Sequence, residues 1–295
     1  MSDAVIYDRG YRSYDGPVGG RGATRRAIVT DGIRRILGLR RKTRRKLLPW
    51  ALLSLSMLMA GIVVGLHFAA GSISAAISEG LPQYAELFDL FSRLALLFIA
   101  ITGPELIGPD RSQGVLSVYF SRPMTVGDYL TAKLIAFVSV TSLIYLVPQI
   151  ALHLGLASLS VDGFLAYLGG NLDVLWKILA VSLAFIAVHG GVLAVITSYI
   201  DRTGFAAAAF LGTIIAGRNL AEVIAEASFP GARWFSLLAL DDHPRYVRDW
   251  LFDSDVGGVY APEAAGFGPW VSVAVIAVVG LGGAFWMLQR YRRLA

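Results

Sequence analysis

The chain contains no cysteine. That absence excludes disulfides, thiolate nucleophiles, Cys-ligated zinc and iron–sulfur clusters together. Charge is scarce: 16% of the residues are Asp, Glu, Lys or Arg, against about 25% in an ordinary soluble domain. No G-x-x-x-x-G-K-[ST] phosphate cradle is present, so the chain is not its own P-loop motor. His67, His153, His189 and His243 show no H-E-x-x-H spacing, and no metal is expected. No Ser–His–Asp or paired-carboxylate arrangement follows from spacing. A membrane-embedded enzyme needs convergent ionisable groups at membrane depth, and this chain offers almost none, so no enzymatic activity of its own is expected.

What is present is apolar. Of 295 residues 56% are hydrophobic, the mean hydropathy is +0.62, and 32 Gly and 15 Phe suit a helix-packed membrane bundle. These numbers exclude disorder, collagen and disulfide scaffolds. The net charge of +5 is unevenly spread, with 13 of the 26 Lys and Arg between Arg9 and Lys46. The densest run, Arg40 to Lys46, ends just before Pro49 and a long apolar segment. A basic run can bind nucleic acid. Here it abuts a membrane segment with no DNA-reading motif, so no nucleic-acid partner is expected. It reads instead as an anchor beside anionic headgroups, each cation attracted by roughly 1 kcal/mol. The apolar run after Trp50 exceeds a signal-peptide core, and no cleavage site follows it, so it is expected to remain in the mature protein.

The expected fold is all-α. Residues 1–48 form a basic tail and an amphipathic helix over 24–46 that lies on the membrane surface, with Val29, Ile33, Ile36 and Leu37 on one face. Residues 49–289 form a six-helix membrane domain with spans at 49–69, 86–104, 127–152, 173–200, 204–221 and 269–289. Each is near the ~20 residues needed for ~30 Å of hydrocarbon. Residues 290–295 are a basic end. Thr125 and Asp128 make a capping-box pattern before the third span. Twenty of the 26 Lys and Arg fall on one side of this arrangement. The positive-inside rule makes that side the cytoplasm and places both termini there. The chain is expected in the plasma membrane as a multi-pass protein whose surroundings are the lipid bilayer.

Charges inside or beside spans are functional candidates by default. Asp89 and Arg93 stand i, i+4 in the second span, and Asp173 and Lys177 in the fourth. Asp89, Arg93 and Lys177 are therefore pathway or gate candidates, with interfacial snorkelling as the alternative for Arg93. Asp241-Asp242-His243 reads as a turn before Pro244, with an outer cation site as the alternative. Ser182, Thr197 and Ser198 are expected to bond back to helix carbonyls. Gly190-Gly191 and Gly282-Gly283 are helix-packing candidates. Residues 222–268 form a long outer loop whose stretch 234–252 can dip into the interface.

The connection 103–126 is broken by Pro104, Pro109 and Pro123 and loosened by Gly108 and Gly114. Asp110 can cap a short helix there, with Val115, Leu116 and Tyr119 on one face. The run 115–120 also reads as a strand. Either element carries an apolar stripe that must bury itself against the interface or against a protein.

The residues Gly103-Pro104-Glu105-Leu106-Ile107, Asp110-Arg111, Gly114, Leu116, Tyr119, Ser121-Arg122-Pro123, Tyr129 and Lys133 resemble the ATP-binding-cassette type-2 permeases. In that family a glutamate ends the second membrane helix, a coupling helix and a Ser-Arg-Pro-like stretch follow, and a Tyr and a Lys open the third helix. The six-helix layout, the basic N-terminal helix and the long last outer loop are similar too. Met124, Thr125 and Val126 stand where the family often carries a further Arg. The resemblance implies an exporter permease that couples to a separate ATPase subunit through Glu105, Asp110, Arg111, Gly114, Leu116, Tyr119, Arg122 and Pro123. It implies a second permease copy, identical or different, and places ATP and Mg on the partner subunit, with no cofactor bound by this chain. The alternatives are a stand-alone secondary transporter, which tends to show inverted repeats and broken helices, and a membrane anchor for a partner complex.

Overall fold

The computed structural model describes residues 19–39, 43–71, 80–116, 119, 124–226 and 230–293. Among these the regular structure is helical throughout, with no strand. The helices are α1 (Arg21–Ile36), α2 (Thr43–Gly71), α3 (Tyr84–Thr102), α4 (Pro104–Ser112), α5 (Val126–Leu159), α6 (Phe164–Gly170), α7 (Leu172–Tyr199), α8 (Thr203–Glu226), α9 (Asp242–Phe252), α10 (Ala261–Ala264) and α11 (Pro269–Arg292), with a 3-10 helix at Ala232–Leu238. Among the described residues six helical stretches are long and apolar enough to cross a bilayer: Lys46–Gly71, Tyr84–Ser112, Val126–Leu159, Leu172–Tyr199, Thr203–Ile224 and Pro269–Arg292. These are the proportions of a multi-pass membrane protein.

The outer surface supports that reading. Large apolar side chains such as Leu58, Phe205, Val278 and Leu281 stand exposed. In water such a surface would aggregate; in lipid it is solvated. All six Trp are partly exposed and fall at two levels. Trp50 and Trp286 lie at the end that holds α1, where Trp50 donates to the Leu37 carbonyl at 3.1 Å and Trp286 to the Tyr199 hydroxyl at 3.0 Å. Trp176, Trp234, Trp250 and Trp270 lie at the other end, Trp250 and Trp270 with ring centroids 4.9 Å apart. At 1.5 Å per residue, Trp270 to Trp286 spans about 24 Å and Trp176 to Tyr199 about 35 Å. These values bracket the ~30 Å hydrocarbon layer that aromatic belts flank. The first level is called the basic end below, and the second the far end.

Several boundaries differ from the sequence expectation. The N-terminal helix stops at Ile36 rather than running to 46, because Gly38 takes φ +64. Gly38 N–H donates to the Arg35 carbonyl and Leu39 N–H to the Arg34 carbonyl, the paired bonds of a Schellman cap. The basic run is thereby divided, and Thr43 already opens α2. The apolar face of α1 meets protein: Ile28, Gly32 and Ile36 are buried. A Cβ on Gly32 would stand 2.8 Å from that of Ala136 on α5 and 3.0 Å from Leu106 Cδ1 on α4. Gly32→Leu is expected to lose about 1–3 kcal/mol and to open α1 to trypsin; an unchanged cleavage rate would contradict this packing.

The second span does not end at 104. Gly103 keeps α-helical angles (φ −61, ψ −48) and Pro104 occupies the first position of α4, where its missing N–H is harmless. The connection expected at 103–126 is therefore helical as far as Ser112, where Gly114 (φ +66) ends it. Gly114 N–H donates to the Arg111 carbonyl and Val115 N–H to that of Asp110, a second Schellman cap. The segment expected as a long outer loop forms, among its described residues, the 3-10 helix, α9 and α10.

Helices α7 and α11 approach most closely at glycine. A Cβ on Gly191 would collide with the Val279 carbonyl, and one on Gly283 with the Gly191 carbonyl. Gly282 meets nothing within 4 Å, and Gly190 faces the Phe137 ring. Of the two Gly-Gly pairs, one glycine of each makes the backbone contact that small residues allow.

Candidate functional site

At the basic end the motif residues fold into one knot. Asp110 is buried on α4 and holds two cations: Arg35 of α1 at 2.6 Å and Lys133 of α5 at 2.7 Å. The Tyr129 hydroxyl donates to the second carboxylate oxygen at 2.8 Å, and Lys133 Nζ also donates to the Leu106 carbonyl at 2.9 Å. Asp31 neutralises Arg35 from the exposed side at 3.0 Å. Two carboxylates thus face two cations, and Lys133 is only 1% exposed, a degree of burial a lysine reaches only when paired. Tyr129 lies between Tyr119, whose ring is tilted against it, and Tyr291, on which it stacks, with ring centroids 5.7 and 6.3 Å away.

The same knot ties α1 to the start of α5. Thr125 and Asp128 form the expected capping box: Thr125 Oγ1 accepts from Asp128 N–H, and the Asp128 carboxylate accepts from Thr125 N–H at 3.0 Å. That carboxylate also pairs with Arg21 at 2.6 Å and Arg25 at 3.0 Å. A local cap therefore doubles as a docking point for α1.

The other motif residues are placed as follows. Glu105 is half-buried in the first turn of α4, two turns short of its end. Arg111 caps the end of α7, donating to the carbonyls of Ser198 and Tyr199 and pairing with Asp201 at 2.5 Å. Leu116 packs against the core. Gly114 supplies the left-handed cap described above. Ser121, Arg122 and Pro123 lie outside the described residues.

A second cluster occupies the far half of the bundle, and sequence reasoning missed its extent. Asp89 meets Arg93 at 2.7 Å as its i, i+4 spacing predicts, and Arg245 and Arg248 of α9 at 3.4 and 3.7 Å. Arg245 reaches Asp241 at 2.7 Å, and Asp241 accepts from His189 Nε2 of α7 at 3.0 Å. With Nε2 protonated, His189 Nδ1 accepts from the Tyr145 hydroxyl at 3.0 Å. Arg248, fully buried, pairs with Asp249 at 2.7 Å, and Tyr260 bridges the two. The charged stripe 241, 245 and 248–249 has helical spacing, and that was the available signal. Lys177 pairs with Asp173 at 2.8 Å and stands over the ring of Phe252, the last residue of α9.

The expected turn at Asp241-Asp242-His243 is the buried start of α9, and its three side chains are separately engaged. Burial opposes ionisation of Asp241, yet His189 and Arg245 hold its carboxyl below the usual carboxylate range. Burial pushes the neighbouring Asp242 carboxyl up, against the pull of Arg218. No group of three or more His, Cys, Asp or Glu able to hold a metal occurs among the described residues. Ser182 Oγ, expected to bond back, is buried without a hydrogen-bond partner, whereas Thr197 and Ser198 do bond to Leu193 and Val195 carbonyls.

His243 bonds Ser272 Oγ at 2.9 Å and the Leu237 carbonyl at 3.2 Å, and burial lowers its pKa to about 4. Its folded pKa lies below the unfolded value, so the stabilisation is present above pH 6.5 and lost as pH falls toward 4. The loss is roughly 3 kcal/mol. The melting temperature in detergent is expected to drop over that window, and less in His243→Asn. An equal drop in both would contradict it.

No protein-family model matches this chain, and no curated protein matches it.

Proposed function

We propose that this chain is the membrane subunit of an ATP-driven transporter of the ABC-2 type, embedded in the plasma membrane with both termini cytoplasmic and acting in export. The carrying observation is the run from Gly103 to Lys133, whose Asp110, Tyr129 and Lys133 meet Arg35 in one buried knot. A surface helix, the end of the second span and the start of the third are thereby bound together at the end richest in Lys and Arg. A push on any of these elements is transmitted to two membrane helices at once. Six spans put both termini on one side, and the positive-inside rule makes that side the cytoplasm. ATP hydrolysis, with its Mg²⁺, then belongs to a separate subunit that engages Glu105 and the segment after it, and two permease copies complete the pathway.

Glu105→Ala is expected to leave the melting temperature within a few degrees of the parent and to reduce ATP-dependent transport at least tenfold. Full transport by that variant would remove Glu105 from the coupling role. A reporter fused at Trp250 is expected to read as extracytoplasmic, and a cytoplasmic reading would sink the six-span topology.

The far cluster favours a second reading, a secondary transporter. His189 and Asp241 are buried ionisable groups at membrane depth, and such groups are often transport machinery. Transport driven by a proton gradient without nucleotide would select this reading.

A further inference from the structure

Between α5 and α11, over a floor formed by α7, lies a cavity of about 510 Å³. Its floor is low because α7 presents Ala187, Gly190 and Ala194 there. Its rim residues Thr131, Leu134, Leu183, Ala277, Leu281 and Phe285 are exposed, so it opens sideways toward the bilayer. The buried polar groups of the wall are turned inward. Lys133 Nζ is held by Asp110 and the Leu106 carbonyl, and Thr197 Oγ1 by the Leu193 carbonyl. What such a wall accepts is hydrocarbon.

The position of the groove defines its occupant. On α11 it runs from Ile276 to Leu288, about 18 Å at 1.5 Å per residue. Its lower end coincides with the aromatic level marked by Trp286 and Tyr199, and its upper end lies near mid-membrane. That depth is one leaflet, about half of the ~30 Å hydrocarbon layer. Four and seven residues beyond Leu288 and Phe285, on the same helix face, stands Arg292, which is exposed at headgroup level. The slot thus has an apolar shaft one leaflet long and a cation at its mouth, on the end of the bundle richest in Lys and Arg.

We propose that this groove is a binding site for an anionic phospholipid of the leaflet at the basic end, one acyl chain lying in the slot and the phosphate meeting Arg292. The inference is independent of the transport reading. It concerns a bilayer lipid, and it holds whether or not an ATPase subunit exists.

The test uses the full chain in nanodiscs containing a phosphatidylglycerol with a diazirine in one acyl chain. Photolabelling is expected to concentrate on peptides covering 183–197 and 276–288. It should fall at least fivefold in Ala284→Trp, which fills the shaft. Unlabelled phosphatidylglycerol should compete about fivefold better than phosphatidylcholine, as one headgroup cation provides, and Arg292→Gln should abolish that preference. Arg292 is exposed, so this variant reports even where Ala284→Trp fails to fold. Label spread equally over the exposed faces of α2 and α8, or a preference unchanged in Arg292→Gln, would overturn the proposal.

Discussion

Asp110→Ala is expected to destabilise the folded protein by about 3–5 kcal/mol, because it strands the buried Lys133 and removes the buried partner of the half-buried Arg35. Lys133 is 1% exposed and loses its counter-charge, keeping only the Leu106 carbonyl and the Tyr129 ring face at 5.4 Å. Arg35 retains the solvent-exposed Asp31 and its neighbour Tyr119. The loss has a local consequence as well. Among the described residues Arg35–Asp110 is one of three ion pairs between α1 and the bundle, the others joining Arg21 and Arg25 to Asp128, so α1 should become sensitive to trypsin before the spans unfold. Asp110→Asn keeps the shape and one acceptor but not the charge, and should fall between. Replacing Asp110, Lys133 and Arg35 together by Leu, Met and Met removes the unpaired charges and should recover much of the stability. Thermal unfolding in detergent with a protease readout checks the series. A single variant as stable as the parent would show that the knot contributes little.

Arg248→Met is the second large effect, again about 3–5 kcal/mol. Arg248 is fully buried and its guanidinium contacts Asp249 at 2.7 Å, the Tyr260 hydroxyl at 2.7 Å and Asp89 at 3.7 Å. Methionine leaves Asp249 and the Tyr260 hydroxyl without that guanidinium, while Asp89 keeps Arg93 and Arg245. Lysine is not expected to rescue, since one ammonium cannot hold three partners in a plane as the guanidinium fork does. The damage should centre on α9, and the fluorescence of Trp250, which packs against Trp270, should change before the spans melt. The contrast is Arg93→Leu. Arg93 is 70% exposed and touches only Asp89 among these groups, so its removal should change stability by less than about 1 kcal/mol. A change in transport without a change in stability would mark Arg93 as part of the pathway, and unchanged transport would leave it as a snorkelling side chain.

What the sequence revealed and what it concealed follow from distance along the chain. The six spans were legible because hydropathy sums over ~20 adjacent residues. The Thr125–Asp128 cap, the Asp89–Arg93 pair and the Asp173–Lys177 pair were legible because three or four residues on a helix are spatial neighbours. Arg35–Asp110 joins residues 75 apart and His189–Asp241 residues 52 apart, and no local period links them. Asp110 therefore read as a possible cap, although its actual partners lie on two other helices, Arg35 on α1 and Tyr129 and Lys133 on α5. The boundary at 103–112 was misread for a different reason. Gly and Pro signal interruption, but Gly103 is there because Leu193 leaves no room for a Cβ, and Pro104 sits where a helix tolerates it. The inward-facing charge of the far segment was not legible in the sequence. An amphipathic helix in water or at an interface buries its apolar side, whereas α9 buries Asp242, Arg245, Arg248 and Asp249 against the bundle.

The central claim is that this chain transmits work from a separate ATPase. The most direct measurement is purification of the tagged chain from its own host membranes in mild detergent, followed by mass spectrometry and an ATPase assay. The account predicts a stoichiometric soluble subunit carrying G-x-x-x-x-G-K-[ST], whose ATP hydrolysis depends on the membrane chain and whose retention falls when Glu105 or residues 110–122 are altered. Recovery of the chain without such a subunit, under conditions that preserve known transporter complexes, with transport persisting in the absence of ATP, would contradict it and shift attention to His189, Asp241 and Asp89.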